Sequence, residues 1–228
     1  MNTYVWCEDS KSGFEFWKMV FGALYAKFIV DTKSNNTELC KAISKLVDED
    51  NKYYVLMDNA IDNPDVLREA QRLYYATKDK KNVSIIKVHS FEFVLLSFKL
   101  LEKWMFAEDD ELKDKRARLF EIKDIFVDLV CNGGDSSTLS SIKEELDSES
   151  CNTEQLSSKL LFQITRNTGF ETGKGKLGDC FVVDCCDWKA RGDDDNCGLD
   201  ETRLTSDNKI RQIVENSVLK DAFAKAGL

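Results

Sequence analysis

The sequence predicts an α/β fold: an open, parallel, doubly wound sheet over residues 1–105, followed by a mostly helical lobe over 106–228. Two observations carry this reading. Through the first hundred residues, short apolar runs alternate with segments of helical periodicity, the order that parallel strands with helical crossovers require. Beyond about residue 104 the alternation stops and helical patterns take over.

The elements follow in order. "TYVWCE" reads as a strand and "GFEFWKMVFGALY" has apolar residues at helical spacing. "AKFIVDT" is a second strand, and "TELCKAISKLVDED" a helix with Asn36 or Thr37 as N-cap. "KYYVLMD" is a third strand. Pro64, the only proline in the chain, follows Asn63 and opens the helix "NPDVLREAQRLYYATK" at its first position. "NVSIIKV" is a fourth strand, and "SFEFVLLSFKLLEKW" a helix with Phe91, Val94, Leu95, Phe98 and Leu101 on one stripe. In the second half, "KDKRARLFEIKDIFVDLVC" and "TEQLSSKLLFQITRN" are helical, as is the closing "DNKIRQIVENSVLKDAFAKAGL", while "GDCFVVDCCDW" reads as a strand or hairpin arm.

A chain of 228 residues with 43% hydrophobic residues buries a real core, and its 32% of charged residues keeps the surface solvated. No apolar run reaches the roughly 20 residues that span a bilayer, and the first residues lack a signal-peptide pattern, so the expected location is cytoplasmic, without membrane contact. There the eight cysteines are expected as thiols or metal ligands. A net charge of −9 gives no overall attraction to nucleic acid or anionic membranes, so a nucleic-acid ligand needs a local basic face, a bound metal or a partner.

Open parallel sheets bind ligands at the carboxyl ends of their strands. Glu8 and Asp9 follow strand one, Asp31 lies near strand two, Asp58 and Asp62 follow strand three, and Glu92 opens the helix after strand four behind Ser90. Each has an ordinary reading as a turn, cap or solvated acid. Brought together they repel one another unless a cation compensates, and oxygen ligands suit Mg²⁺ or Mn²⁺.

The glutamate in "YVWCEDSKSG", the aspartates in "VLMDNAIDN" and the glutamate in "VHSFEFVLL" resemble, in order and placement over residues 1–105, the topoisomerase-primase (TOPRIM) domain. The form they are most similar to is that of the overcoming-lysogenization-defect and related phage-defence nucleases. The resemblance implies a Mg²⁺-dependent nuclease acting on DNA or RNA, with a partner ATPase and a role in phage defence. Glu8 and Asp58 take catalytic roles, Glu8, Asp58, Asp62 and Glu92 hold metal, and Lys11 contacts the scissile phosphate. The family spaces its aspartates Asp-x-Asp, whereas here they stand four apart, which makes Asp62 the outlying member. His89, the only histidine, precedes the Glu92 helix and is a secondary candidate for proton transfer.

Two rivals stand beside this reading. A phosphoacceptor receiver would use Glu8 and Asp9 as its acidic pair, Asp58 as the phosphorylated residue and Ser90 as the hydroxyl, but the expected fifth strand and its lysine are missing from the pattern. A catalytically inactive interaction module is the other. Among the remaining signals, Cys180, Cys185, Cys186 and Cys197 have irregular spacing, which favours apolar packing over zinc. "GKGKLG" matches a dinucleotide-binding pattern but precedes a predicted strand, and so reads as a basic turn. "KDKRAR" reads as a solvated helix face and "GDDDN" as an acidic loop.

Overall fold

The computed structural model describes residues 1–59, 62–106, 110–173, 175–185, 198–199 and 203–228. Four strands, β1 (Thr3–Cys7), β2 (Phe28–Thr32), β3 (Lys52–Asp58) and β4 (Val83–Val88), alternate with helices α1 (Lys11–Leu24), α2 (Asn36–Ser44) and α3 (Pro64–Thr77). All strand pairs are parallel and the sheet order is β2-β1-β3-β4. From β1 the chain steps outward to β2, then crosses back to β3 and continues to β4. The switch point therefore falls between the carboxyl ends of β1 and β3.

Helices cover both faces. Alternation along β3 sends Val55 and Met57 to one face, against Leu39 and Ile43 of α2 and Val66 and Leu73 of α3. Tyr54 and Leu56 point to the other, where Val5, Cys7, Ile86 and Val88 meet Phe16, Trp17, Val20 and Phe21 of α1. Burying each such side chain stabilises the fold by roughly 1.5–3 kcal/mol.

The second half is helical: α4 (Phe91–Leu96), α5 (Leu101–Phe106), α6 (Asp110–Asn132), α7 (Ser136–Glu145), α8 (Thr153–Thr165), α9 (Asp179–Val182), α10 (Ser206–Glu215) and α11 (Leu219–Ala226). Its core continues that of the sheet. Phe126 of α6, Leu156 and Leu160 of α8, Ile213 of α10 and Phe223 of α11 belong to the same apolar cluster as Val5 and Leu56. Among the described residues, no helix is long and apolar enough to cross a membrane.

Caps explain several helix starts. Asn63 accepts hydrogen bonds from the Asp65 and Val66 amides ahead of Pro64, and Ser90 accepts one from Phe93 N at 3.2 Å, both as expected. The cap of α2 is Asn35, one residue earlier than predicted, with its side chain accepting from Glu38 N at 2.9 Å.

Two predicted long helices are broken, and each break holds the other. The Ser97 hydroxyl donates back to the Val94 carbonyl and accepts from Val218 N, ending α4, while Lys99 N donates to the Asn216 carbonyl in the turn between α10 and α11. The predicted cysteine strand or hairpin is corrected as well. Over the described residues it is the one-turn helix α9, whose Phe181 is fully buried with its ring 5.1 Å from that of Phe170. A four-residue apolar run carries too little periodicity to separate the two states. "GKGKLG" accordingly leads into a short helix, after a turn in which Gly173 pairs with Lys176. "KDKRAR" is solvated except at Arg116, which is buried and donates to the Arg166 carbonyl. Cys186, Cys197, Lys174 and "GDDDN" lie outside the described residues.

Candidate metal site

Parallel pairing puts Cys7 of β1 beside Leu56 of β3, so the residues after β1 emerge level with the end of β3. Glu8 uses this directly: its Oε1 accepts from the Asp58 backbone N–H at 2.7 Å. Asp9 turns inward, where Trp17 Nε1 of α1 donates to its Oδ2 at 2.7 Å. Gly13 makes room for that carboxylate, because a Cβ at this position would stand 2.2 Å from Asp9 Oδ1. Glu92 is buried in the first turn of α4, where the helix dipole and Ser90 favour its charge.

These four acids act on one another. Burial, then the charges of Asp9, Glu8, Glu154 and Glu92, push the Asp58 carboxyl well above the usual carboxylate range. Burial raises Glu8 to about 7, although the Asp58 amide opposes the shift. It raises Glu92 to about 7 and Asp9 as well, with Glu154 adding repulsion at both. Among the described residues, none of Glu8, Asp9, Asp58 and Glu92 pairs with a basic side chain, and none donates a hydrogen bond to the Asp58 carboxylate.

Glu154 is the residue that sequence reasoning missed. It stands in the first turn of α8, nearly a hundred residues after Asp58, yet its charge bears on Glu8, Asp9, Asp58 and Glu92 alike. "NTEQ" signals only a capped helix start, which Asn152 and Gln155 form as a capping box. Nothing local says which edge of the sheet that start will meet.

Asp62 supplies the link, and is not brought into the acid group. Its carboxylate accepts from Thr153 N (3.0 Å) and Thr153 Oγ1 (2.7 Å) and pairs with Lys143 at 3.6 Å. It ties the start of α8 to the loop after β3. Asp62→Ala is expected to cost about 1–3 kcal/mol, because Thr153 loses its partners and α8 its anchor. Urea denaturation checks this; a loss below about 0.5 kcal/mol would show that the tie does not hold α8.

The remaining candidates sit at the rim or outside it. Lys11 is exposed at the first position of α1 with a left-handed φ of 53°. Asp31 pairs with Lys33, away from the group. Burial lowers His89, which keeps it neutral at pH 7, and its Nδ1 is buried without a partner among the described residues. Burial likewise pushes the Cys7 thiol beneath the acids up to about 12, so it is no nucleophile at neutral pH.

Donor chemistry here suits a hard cation. The acids are all oxygen donors, and Asn36, whose side chain favours the Glu8 charge, keeps a buried Oδ1 with no partner among the described residues. Among the described residues no three His, Cys, Asp or Glu side chains form a ready ligand set. Mg²⁺ does not demand one, since it commonly binds through one or two carboxylates and retains several waters. A pocket lined by Ser44, Leu46, Asp48, Asp79, Lys80 and Asn82 lies at the opposite end of the sheet, where β3 and β4 begin. Comparison of the chain with protein-family models, curated proteins and solved structures gave no match.

Proposed function

We propose that this chain is a TOPRIM-like, Mg²⁺- or Mn²⁺-dependent nuclease whose cation is held at the carboxyl ends of β1 and β3. One observation carries the reading: Glu8, Asp9, Asp58 and Glu92, part-buried or buried, crowd the switch point, and among the described residues no basic side chain pairs with them. A fold pays for such repulsion when a ligand relieves it. Asp58 and Glu8 are the residues assigned to hold the cation, with Glu92 and Glu154 facing them.

When bound, Mg²⁺ or Mn²⁺ supplies polarisation of a phosphoryl oxygen and acidification of water. Glu8 is fixed through the Asp58 amide at one oxygen, which leaves its other oxygen to face the cation. Lys11 at the rim offers an ammonium to the phosphate.

Labelled single- and double-stranded DNA and RNA incubated with millimolar Mg²⁺ or Mn²⁺ test the proposal. Cleavage by the unmodified chain that stops with chelator and falls at least ~100-fold in Glu8→Gln is expected. No cleavage of any of the four substrates with either metal refutes it.

A further inference from the structure

The net charge of −9 is unevenly spread, and one face runs against it. Helix α2 with Lys45, together with the stretch from Pro64 to Lys81, carries seven basic and four acidic residues. Three of those acids, Glu38, Asp65 and Glu69, already pair with Lys41, Arg68 and Arg72. With Asp79 set against Lys45, Lys78, Lys80 and Lys81, the face keeps an excess of three positive charges.

Between α2 and α3 runs an open groove. Thr37 and Lys41 of α2 and Lys45 at its C-terminal cap line it, one per helical turn, and Glu69, Arg72 and Tyr75 line it from α3. At one end the groove begins beside the acids, for Thr37 follows Asn36, whose side chain favours the Glu8 charge. At the other it shares Ser44 and Ala76 with a pocket where Lys80 and Lys81 stand among Asp48, Glu49 and Asp79. The helical stretch from Thr37 to Lys45 spans about 12 Å, the length of roughly two nucleotides of extended strand. Beside it two rings stand out in solvent: Tyr74 and Tyr75 are 61% and 59% exposed, set edge to face at 5.6 Å, with the Lys78 ammonium over Tyr75.

We infer that the α2–α3 face is a binding track for single-stranded nucleic acid: Lys45, together with Lys41 and Arg72 as they exchange the exposed carboxylate Glu38 and the groove carboxylate Glu69 for phosphate, follows the backbone, Tyr74 and Tyr75 stack bases, and the strand is led toward the acids. Cations spaced along a groove with open aromatic rings beside it are what sequence-tolerant strand binding uses. An acidic peptide would match the charge but leave the rings without a stacking partner. The direction of travel rests on the nuclease reading; binding to the face does not.

Fluorescence anisotropy of the full chain with labelled single-stranded DNA and RNA, in chelator so that no cleavage occurs, tests the track. Lys41→Glu with Lys45→Glu is expected to weaken binding at least tenfold and to lower the salt slope by about 1.4, the value for two phosphate contacts. Tyr74→Ala with Tyr75→Ala is expected to weaken it about tenfold or more. All four positions are exposed, and an unchanged thermal midpoint certifies the fold. Wild-type affinity in both double variants overturns the inference. So does polyglutamate displacing the strand at equal charge while the tyrosine variant binds normally, which marks an acidic-protein dock. Binding lost in the variants, with no cleavage by the parent chain in Mg²⁺ or Mn²⁺, overturns the nuclease reading and leaves the track standing.

Discussion

Asp58→Asn is expected to make the metal-free protein more stable at pH 8 and to abolish its response to metal. The carboxylate it replaces is part-buried and faces the charges of Asp9, Glu8, Glu154 and Glu92, with no hydrogen bond to it from the described residues. An amide of the same shape removes the repulsion while keeping the Asp58 backbone N–H that Glu8 uses. The melting temperature in chelator should rise, by about 2–4 °C for each kcal/mol of repulsion removed in a chain of this size. In the parent chain, millimolar Mg²⁺ or Mn²⁺ should raise the melting temperature by mass action, since it binds only the folded state. In the variant that increment should vanish, with metal affinity down by more than the 10–100-fold typical of residues behind the ligands. A variant that melts lower in chelator and keeps the metal increment would remove Asp58 from the site.

In chelator, stability should fall as pH rises from about 5 to 8. Glu8 and Glu92 hold protons up to about 7 in the folded chain, whereas an unfolded glutamate releases its proton near 4.3. Between those values the folded state binds more protons than the unfolded, so each group takes away up to about 1.4 kcal/mol per pH unit. The acids whose pKa values are lowered work in another window. Asp48, held at about 2 by Tyr53 and Asn51, together with Asp135, Glu145, Glu171 and Asp184, loses its stabilising effect only on acidification below the usual carboxylate range. Cation binding selects the deprotonated carboxylates, so Mg²⁺ should flatten the decline as pH approaches 7. Thermal melts across pH 5–8, with chelator and with Mg²⁺, read both effects. A melting temperature that climbs through this range in chelator contradicts the protonated site.

The strands and the first three helices were legible because each carries a local signal: apolar runs of strand length, helical stripes, and the Asn63-Pro64 start. The candidate site was legible only where it follows a strand. Glu8, Asp58 and Glu92 are placed by local pattern plus the rule that parallel strands end on one edge. Asp62 could not be told from Asp58 in the sequence, because its partners Thr153 and Lys143 lie 91 and 81 residues further on. Glu154 was invisible for the same reason. The two misjudged long helices share this cause: the Ser97 and Asn216 breaks exist because those segments meet each other, and neither break has a proline or glycine to announce it.

Helix α11 gives the fold an unusual order of assembly. The Phe223 ring lies 5.4 Å from that of Phe21 on α1, and the Tyr54 hydroxyl of β3 reaches the Gly227 carbonyl, so residues beyond 218 complete the layer over the first strands. On a ribosome the strands emerge first, and the face that α1 covers in part is completed only when α11 has been made. At synthesis rates of about 5–20 residues per second, the more than 130 residues from β4 through α11 leave that layer incomplete for roughly 7–26 s. During nascent-chain growth the protein is therefore a client for whatever shields apolar surface.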